Sequence, residues 1–309
     1  MKIKHLLCFI ALCLFFTPGK AQQLSVMTLR NGATVYIWED KSKPDVFGMI
    51  AFKVGSVDDP EQYTGLAHYL EHVMFKGTQT IDALDWEKEK PIYEKIIAKY
   101  DERAALSDPA AREAIDKEIN DLTREAAQYA AGNEFSLLVD HMGGQGLNAS
   151  TGYDQTEYHN SFPPSQLEKW LEIYSERLID PVFRGFQTEL EAVYEEYNMY
   201  NDDRGSRMRE FIYEQAFGDH PYARPIIGLP EHLKNPQLSK LIDFYNTWYG
   251  PQNMSIILVG NIDAKEAIPM IRDKFERVPR RAEIHREKKP VRQFKGRTEK
   301  SAKIFYYPM

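Results

Sequence analysis

Five consecutive residues, His68-Tyr69-Leu70-Glu71-His72, constrain this chain more than any other stretch. Leu66, Tyr69, Leu70, Val73 and Met74 recur around them at steps of three and four after Asp59-Pro60, and that spacing predicts a helix. Residues four apart on a helix face the same side, so His68 and His72 can bind one metal ion, with Glu71 directed to the same face. Zinc suits imidazole ligands and lowers the pKa of a coordinated water. A carboxylate beside it can take the proton as that water attacks a carbonyl.

A four-coordinate site with one open position needs a third protein ligand. The only cysteines, Cys8 and Cys13, lie near the N-terminus. Lys2, Lys4 and His5 are followed by an apolar run from Leu6 to Phe16, then Pro18-Gly19 and Ala21. This layout is that of a secretory signal peptide over residues 1–21, and the run is too short to span a bilayer. An exported, periplasmic or secreted location is expected, with no membrane attachment after cleavage. The mature chain then has no cysteine, so the ligand must be nitrogen or oxygen. Candidates are His141, His159, His220, His232 and His285, or the acidic helix carrying Glu189, Glu191, Glu195 and Glu196. Glu189 and Glu196 are seven apart and share a helix face; Glu191 and Glu195 point elsewhere. On the residues alone, these alternatives stay open.

At 309 residues, 43% hydrophobic and 28% charged, the chain can build a sizeable core as one large domain or two smaller ones. The formal net charge of −7 becomes −10 once the leader takes three lysines with it. No basic excess points to nucleic acid. Asn31-Gly32 between Ser25–Leu29 and Thr34–Trp38 is a hairpin signal, and Val46–Val54 reads as a third strand. The 85–132 segment is charge-dense and alanine-rich, with Ile92, Ile96, Tyr100 and Ile115, Ile119, Leu122 at helical steps about Ser107-Asp108-Pro109, and it predicts a helical hairpin. Leu147–Tyr158 reads as one strand after a glycine-rich loop. Ser165 and Glu168 form a capping box, and helices are expected over 187–200, 205–217 and 238–249, with a strand at 254–259.

These motifs together resemble the pitrilysin/insulinase-like zinc metallopeptidases. Leu29-Arg30-Asn31-Gly32 is similar to that family's opening hairpin, and Gly65-Leu66-Ala67 leads into the H-x-x-E-H run, with Phe75-Lys76-Gly77-Thr78 after it. Gly146-Leu147-Asn148-Ala149-Ser150-Thr151, His220-Pro221-Tyr222 and Tyr249-Gly250-Pro251-Gln252-Asn253-Met254 match as well. The resemblance implies an α+β fold, a largely antiparallel twisted sheet flanked by helices, forming half of a clamshell. By position it implies one zinc ion held by His68, His72 and Glu196, with Glu71 as general base and Glu189 as a supporting catalytic acid. Glu195 lacks a partner seven residues earlier. Asn148, Ala149 and Thr151 are implied to bind a peptide substrate along a sheet edge.

In this sequence 123 residues separate His72 from Glu196. That is about 47 more than the family's spacing, close to the length of the 85–132 hairpin, which is therefore expected to be an insertion whose removal leaves the site intact. The resemblance places a catalytic domain over 22–276 and, over 277–309, a linker and the truncated start of a second homologous domain. That domain or a partner subunit would close the chamber. The activity implied is zinc-dependent endopeptidase action on peptides or unfolded segments; a non-catalytic peptide-binding subunit on the same fold is the alternative.

Overall fold

The computed structural model describes residues 23–281 and 284. The leader expected over 1–21, His285 and most of the segment after residue 277 lie outside the described residues.

Six strands form one sheet: β1 (Gln23–Thr28), β2 (Thr34–Glu39), β3 (Val46–Phe52), β4 (Gln145–Thr151), β5 (Thr156–Phe162) and β6 (Met254–Gly260), in the order β1-β2-β6-β3-β5-β4. Four of the five pairings are antiparallel, and only β2–β6 is parallel. The first hairpin turns at Asn31-Gly32, where Gly32 takes a φ of 102° and donates its N–H to the Leu29 carbonyl. Alternation is clear: Ile50, Tyr158, Ile256 and their neighbours are buried beneath helices. On the other face, Tyr36, Trp38 and Val259 are more than a third exposed. The sheet is therefore covered on one side.

Ten α-helices are present among the described residues: α1 (Leu66–Val73), α2 (Trp86–Ala105), α3 (Pro109–Ala126), α4 (Glu134–His141), α5 (Leu167–Glu176), α6 (Phe186–Asp202), α7 (Arg204–Phe217), α8 (Pro230–Leu233), α9 (Leu238–Trp248) and α10 (Ala264–Phe275). The expected helical hairpin is α2–α3, with Asp85 capping one helix through Lys88 N–H and Asp108 the other through Ala111 N–H. It is not a loosely attached arm. Tyr100 packs its ring 4.7 Å from that of Phe186, and Arg184 grips buried Glu89 at 2.6 and 2.8 Å just before α6 begins. These contacts brace the start of α6, so the hairpin packs against the element that carries Glu189 and Glu196.

Two other expectations change. Leu147–Tyr158 is two strands, broken where Gly152 N–H bonds to the Gln155 carbonyl and reverses the chain. Ser165 does not cap: Pro163-Pro164 starts a 3-10 turn that runs straight into α5, so Ser165 sits inside the turn rather than before it. The helices α4 and α10, unassigned by periodicity, fill the space under the sheet through Phe135 and Val139, and through Ile271 and Phe275.

Candidate metal centre

The helix α1 is set by its N-terminus. Gly65 adopts a φ of 90°, and a Cβ there would lie 2.5 Å from the Ile227 carbonyl oxygen, so only glycine fits. The orphan N–H groups of the first turn go to a distant carboxylate: Asp59 accepts from Gly65 at 2.7 Å and Ala67 at 2.9 Å. At mid-helix the Tyr69 hydroxyl donates to the Phe186 carbonyl, tying α1 to the first residue of α6. Phe186, Leu190 and Val193 bury one stripe of α6 and leave Glu189 and Glu196 facing α1.

Three groups converge between the two helices. His68 Nε2 is 3.6 Å, and His72 Nε2 3.5 Å, from the same oxygen, Glu196 Oε2. The candidate ligand atoms of His68, His72 and Glu196 all lie within 4.8 Å of one another. These spacings are long for direct hydrogen bonds. Ligand atoms about 2.1 Å from a tetrahedral zinc ion sit about 3.4 Å apart, so the donor set and its spacing fit zinc. Behind the triad, Glu189 Oε2 lies 3.6 Å from His72 Nδ1 while its Oε1 is gripped by Lys76 Nζ at 2.5 Å. A carboxylate on the rear nitrogen of a ligating histidine fixes its tautomer and ring orientation.

The electrostatics divide the histidines. Burial pushes His68 down to about 4, helped by the neighbouring His72, so it is neutral. For His72 burial acts downward too, but the nearby carboxylates of Glu189, Glu196 and Glu71 outweigh it and raise the ring to about 9. Glu71 is raised by burial, against the bond from Thr151 and the charge of His72, which keeps its carboxylate basic.

A cavity of about 440 Å³ opens beside the triad, lined by His68, Glu71 and Glu196 on one side and by Ala149–Thr151 of β4 on another. β4 is an edge of the sheet. Its alternation turns Ala149 and Thr151 toward the cavity, and Thr151 Oγ1 donates to Glu71 Oε2 at 2.5 Å. Asn148 is exposed and falls on the other face. Of the rival ligands, Glu191 and Glu195 are exposed, His220 Nδ1 accepts from Tyr222 N–H, and His232 Nδ1 accepts from Thr64 N–H. Sequence reasoning missed Lys76, the anchor of Glu189. It also missed Tyr200, whose hydroxyl bonds Glu196 from four residues on, a helical spacing that could have pointed to it.

The sequence model described as Insulinase (Peptidase family M16) matches residues 34–90 and 122–229, and the one described as Peptidase M16 inactive domain matches 237–308. The chain belongs to peptidase family M16. The interruption at 91–121 falls inside the α2–α3 hairpin. The chain is 25% identical over 270 residues to the probable zinc protease PqqL of Escherichia coli, covering 84% of this chain and 23% of that protein. In structure it is similar to the first half of the periplasmic protease PqqL from Escherichia coli (TM-score 0.65, 24% identity, 87% of this chain and 49% of that one). It is likewise similar to pitrilysin (TM-score 0.62, 23% identity, 85% and 24%). The chain spans under half the length of the curated relatives it matches. No helix among the described residues is long and apolar enough to cross a membrane.

Proposed function

We propose that this chain is the catalytic half of a zinc-dependent endopeptidase that cleaves peptides or unfolded polypeptide segments. The observation that carries the reading is the approach of His68 and His72 Nε2 to one Glu196 oxygen at tetrahedral spacing, with Glu71 on the same cavity wall. His68, His72 and Glu196 would hold one zinc ion, and Glu189, itself held by Lys76, would orient His72. Bound zinc supplies Lewis-acid chemistry, polarising a carbonyl and acidifying water.

The chain's own residues do the rest. Glu71, kept basic by its burial, accepts the proton of the attacking water and returns it to the leaving amine. Thr151 holds the Glu71 carboxylate in line. A peptide adds to the free edge of β4 by backbone hydrogen bonds, beside Asn148, Ala149 and Thr151, which demands little of its sequence. A second homologous domain or subunit closes the chamber; the match that continues to residue 308 supports it. The leader composition and the periplasmic description of a similar protein support export. The completeness of the ligand set, and relatives named zinc proteases, favour a peptidase over a peptide-binding subunit.

The test is Glu71→Gln in the full-length protein. Cleavage of an unstructured peptide should fall by about 10²–10⁴-fold while zinc is retained; an unchanged rate would refute the assignment.

A further inference from the structure

We infer that the cavity beside the candidate metal centre holds a subsite for an acidic side chain of the bound peptide, with Arg209 as its recognition residue. This rests on the peptidase reading and adds a substrate feature which that reading leaves open.

The cavity extends from His68, Glu71 and Glu196 to a wall made by α7, where Ser206, Arg209, Glu210 and Tyr213 lie three to four residues apart on one helix face. Ala149–Thr151 and Tyr153 stand on the β4 side. A peptide laid on the β4 edge therefore presents alternate side chains toward α7.

The carboxylates of this cavity are already engaged. Glu196 belongs to the metal triad, Glu71 accepts from Thr151, and Glu210 is paired with Arg207 at 2.7 Å. Arg209 is the one lysine or arginine among the lining residues, and among the described residues it makes no ion pair. Among the described residues its only side-chain hydrogen bond runs from Nη2 to Ser206 Oγ at 3.3 Å. Asp203 feels its charge, but that carboxylate caps α7 through the Ser206 N–H at 2.7 Å. Most of the five guanidinium donors remain available, in the planar fork that matches a carboxylate. Tyr153, Tyr200 and Tyr213 line the same space, so the apolar part of the side chain has ring surface to lie on. Arg207 is paired with Glu210, so Arg209 is the cation of this wall that no carboxylate holds in an ion pair among the described residues.

The experiment uses the zinc-loaded chain carrying Glu71→Gln, so that peptides bind without turnover, with and without Arg209→Glu. The probes are fluorescein-labelled peptides in which one Glu, Gln or Lys is moved along an alanine-leucine background, read by anisotropy. Arg209 is exposed, so the melting midpoint should not move. At one position the Glu peptide should bind up to about fivefold tighter than the Lys peptide, less so at high salt, and Arg209→Glu should invert that ratio. Equal binding at every position, a ratio untouched by Arg209→Glu, or no saturable binding would overturn the subsite. Zinc content measured on the same samples separates the two readings. A charge preference without zinc counts against the metallopeptidase alone, and zinc without a charge preference counts against the subsite alone.

Discussion

The hydroxyl of Thr151, at the end of the edge strand β4, donates to the Glu71 carboxylate on α1 across 2.5 Å. Strand and motif helix are thereby joined at the atom that would handle the proton. Thr151, read from the sequence as lining the substrate edge, also bonds the carboxylate of the candidate base. Thr151→Val should keep the fold and the zinc and lower kcat by about 10–100-fold, the scale of one charged hydrogen bond, with KM little changed. Thr151→Ser should restore most of the rate. A valine variant of normal kcat would remove Thr151 from the mechanism.

The hairpin α2–α3 is tied to the site through Glu89, 1% exposed, and Arg184. Arg184 also donates to the Lys76 carbonyl, so the pair spans from the hairpin to the segment that anchors Glu189. Arg184→Met strands a buried carboxylate and should destabilise the chain by about 3–5 kcal/mol, read from the urea midpoint. Adding Glu89→Leu to it should recover most of the loss. An Arg184→Met protein of undiminished stability would show that the pair bears no load.

Burial pushes Asp59 up to about 7, although it accepts two backbone N–H bonds and sits near Arg224. In the unfolded chain it releases its proton near 4, in the folded chain near 7. Between those values the folded state binds more protons. This contribution is therefore fully present below about pH 4 and is lost as pH rises through 7. Comparing wild type with Asp59→Asn across pH 4–8, the stability advantage of the wild type should shrink as pH rises. An advantage that grows with pH would mean that the N–H bonds keep Asp59 charged.

Much of this arrangement was legible in the sequence, for identifiable reasons. His68, Glu71 and His72 lie within one helical turn and a half, so their convergence follows from helix geometry. The seven-residue offset of Glu189 and Glu196 put both on one face, toward α1 as it turns out. Asn31-Gly32 fixed the first hairpin through the positive φ that glycine allows. The reading failed where long-range contacts decide. β4 and β5 read as one run because the turn signals Gly152 and Asp154 are only two isolated residues in it, and the turn closes through the Gly152 N–H and the Gln155 carbonyl. Lys76, Arg184 and Tyr69 act on residues about 95 to 117 positions away, which no local pattern records. α4 carries Phe135 and Val139 on only two buried positions, too few to set a period.

Zinc stoichiometry tests the central claim most directly. Purified wild-type chain, dialysed after exposure to zinc and assayed by elemental analysis, should carry one zinc per chain. His68→Ala and Glu196→Ala should carry less than about a tenth of that, because each removes a third of the protein ligands. A folded wild-type chain without zinc, or full zinc in either variant, would contradict it.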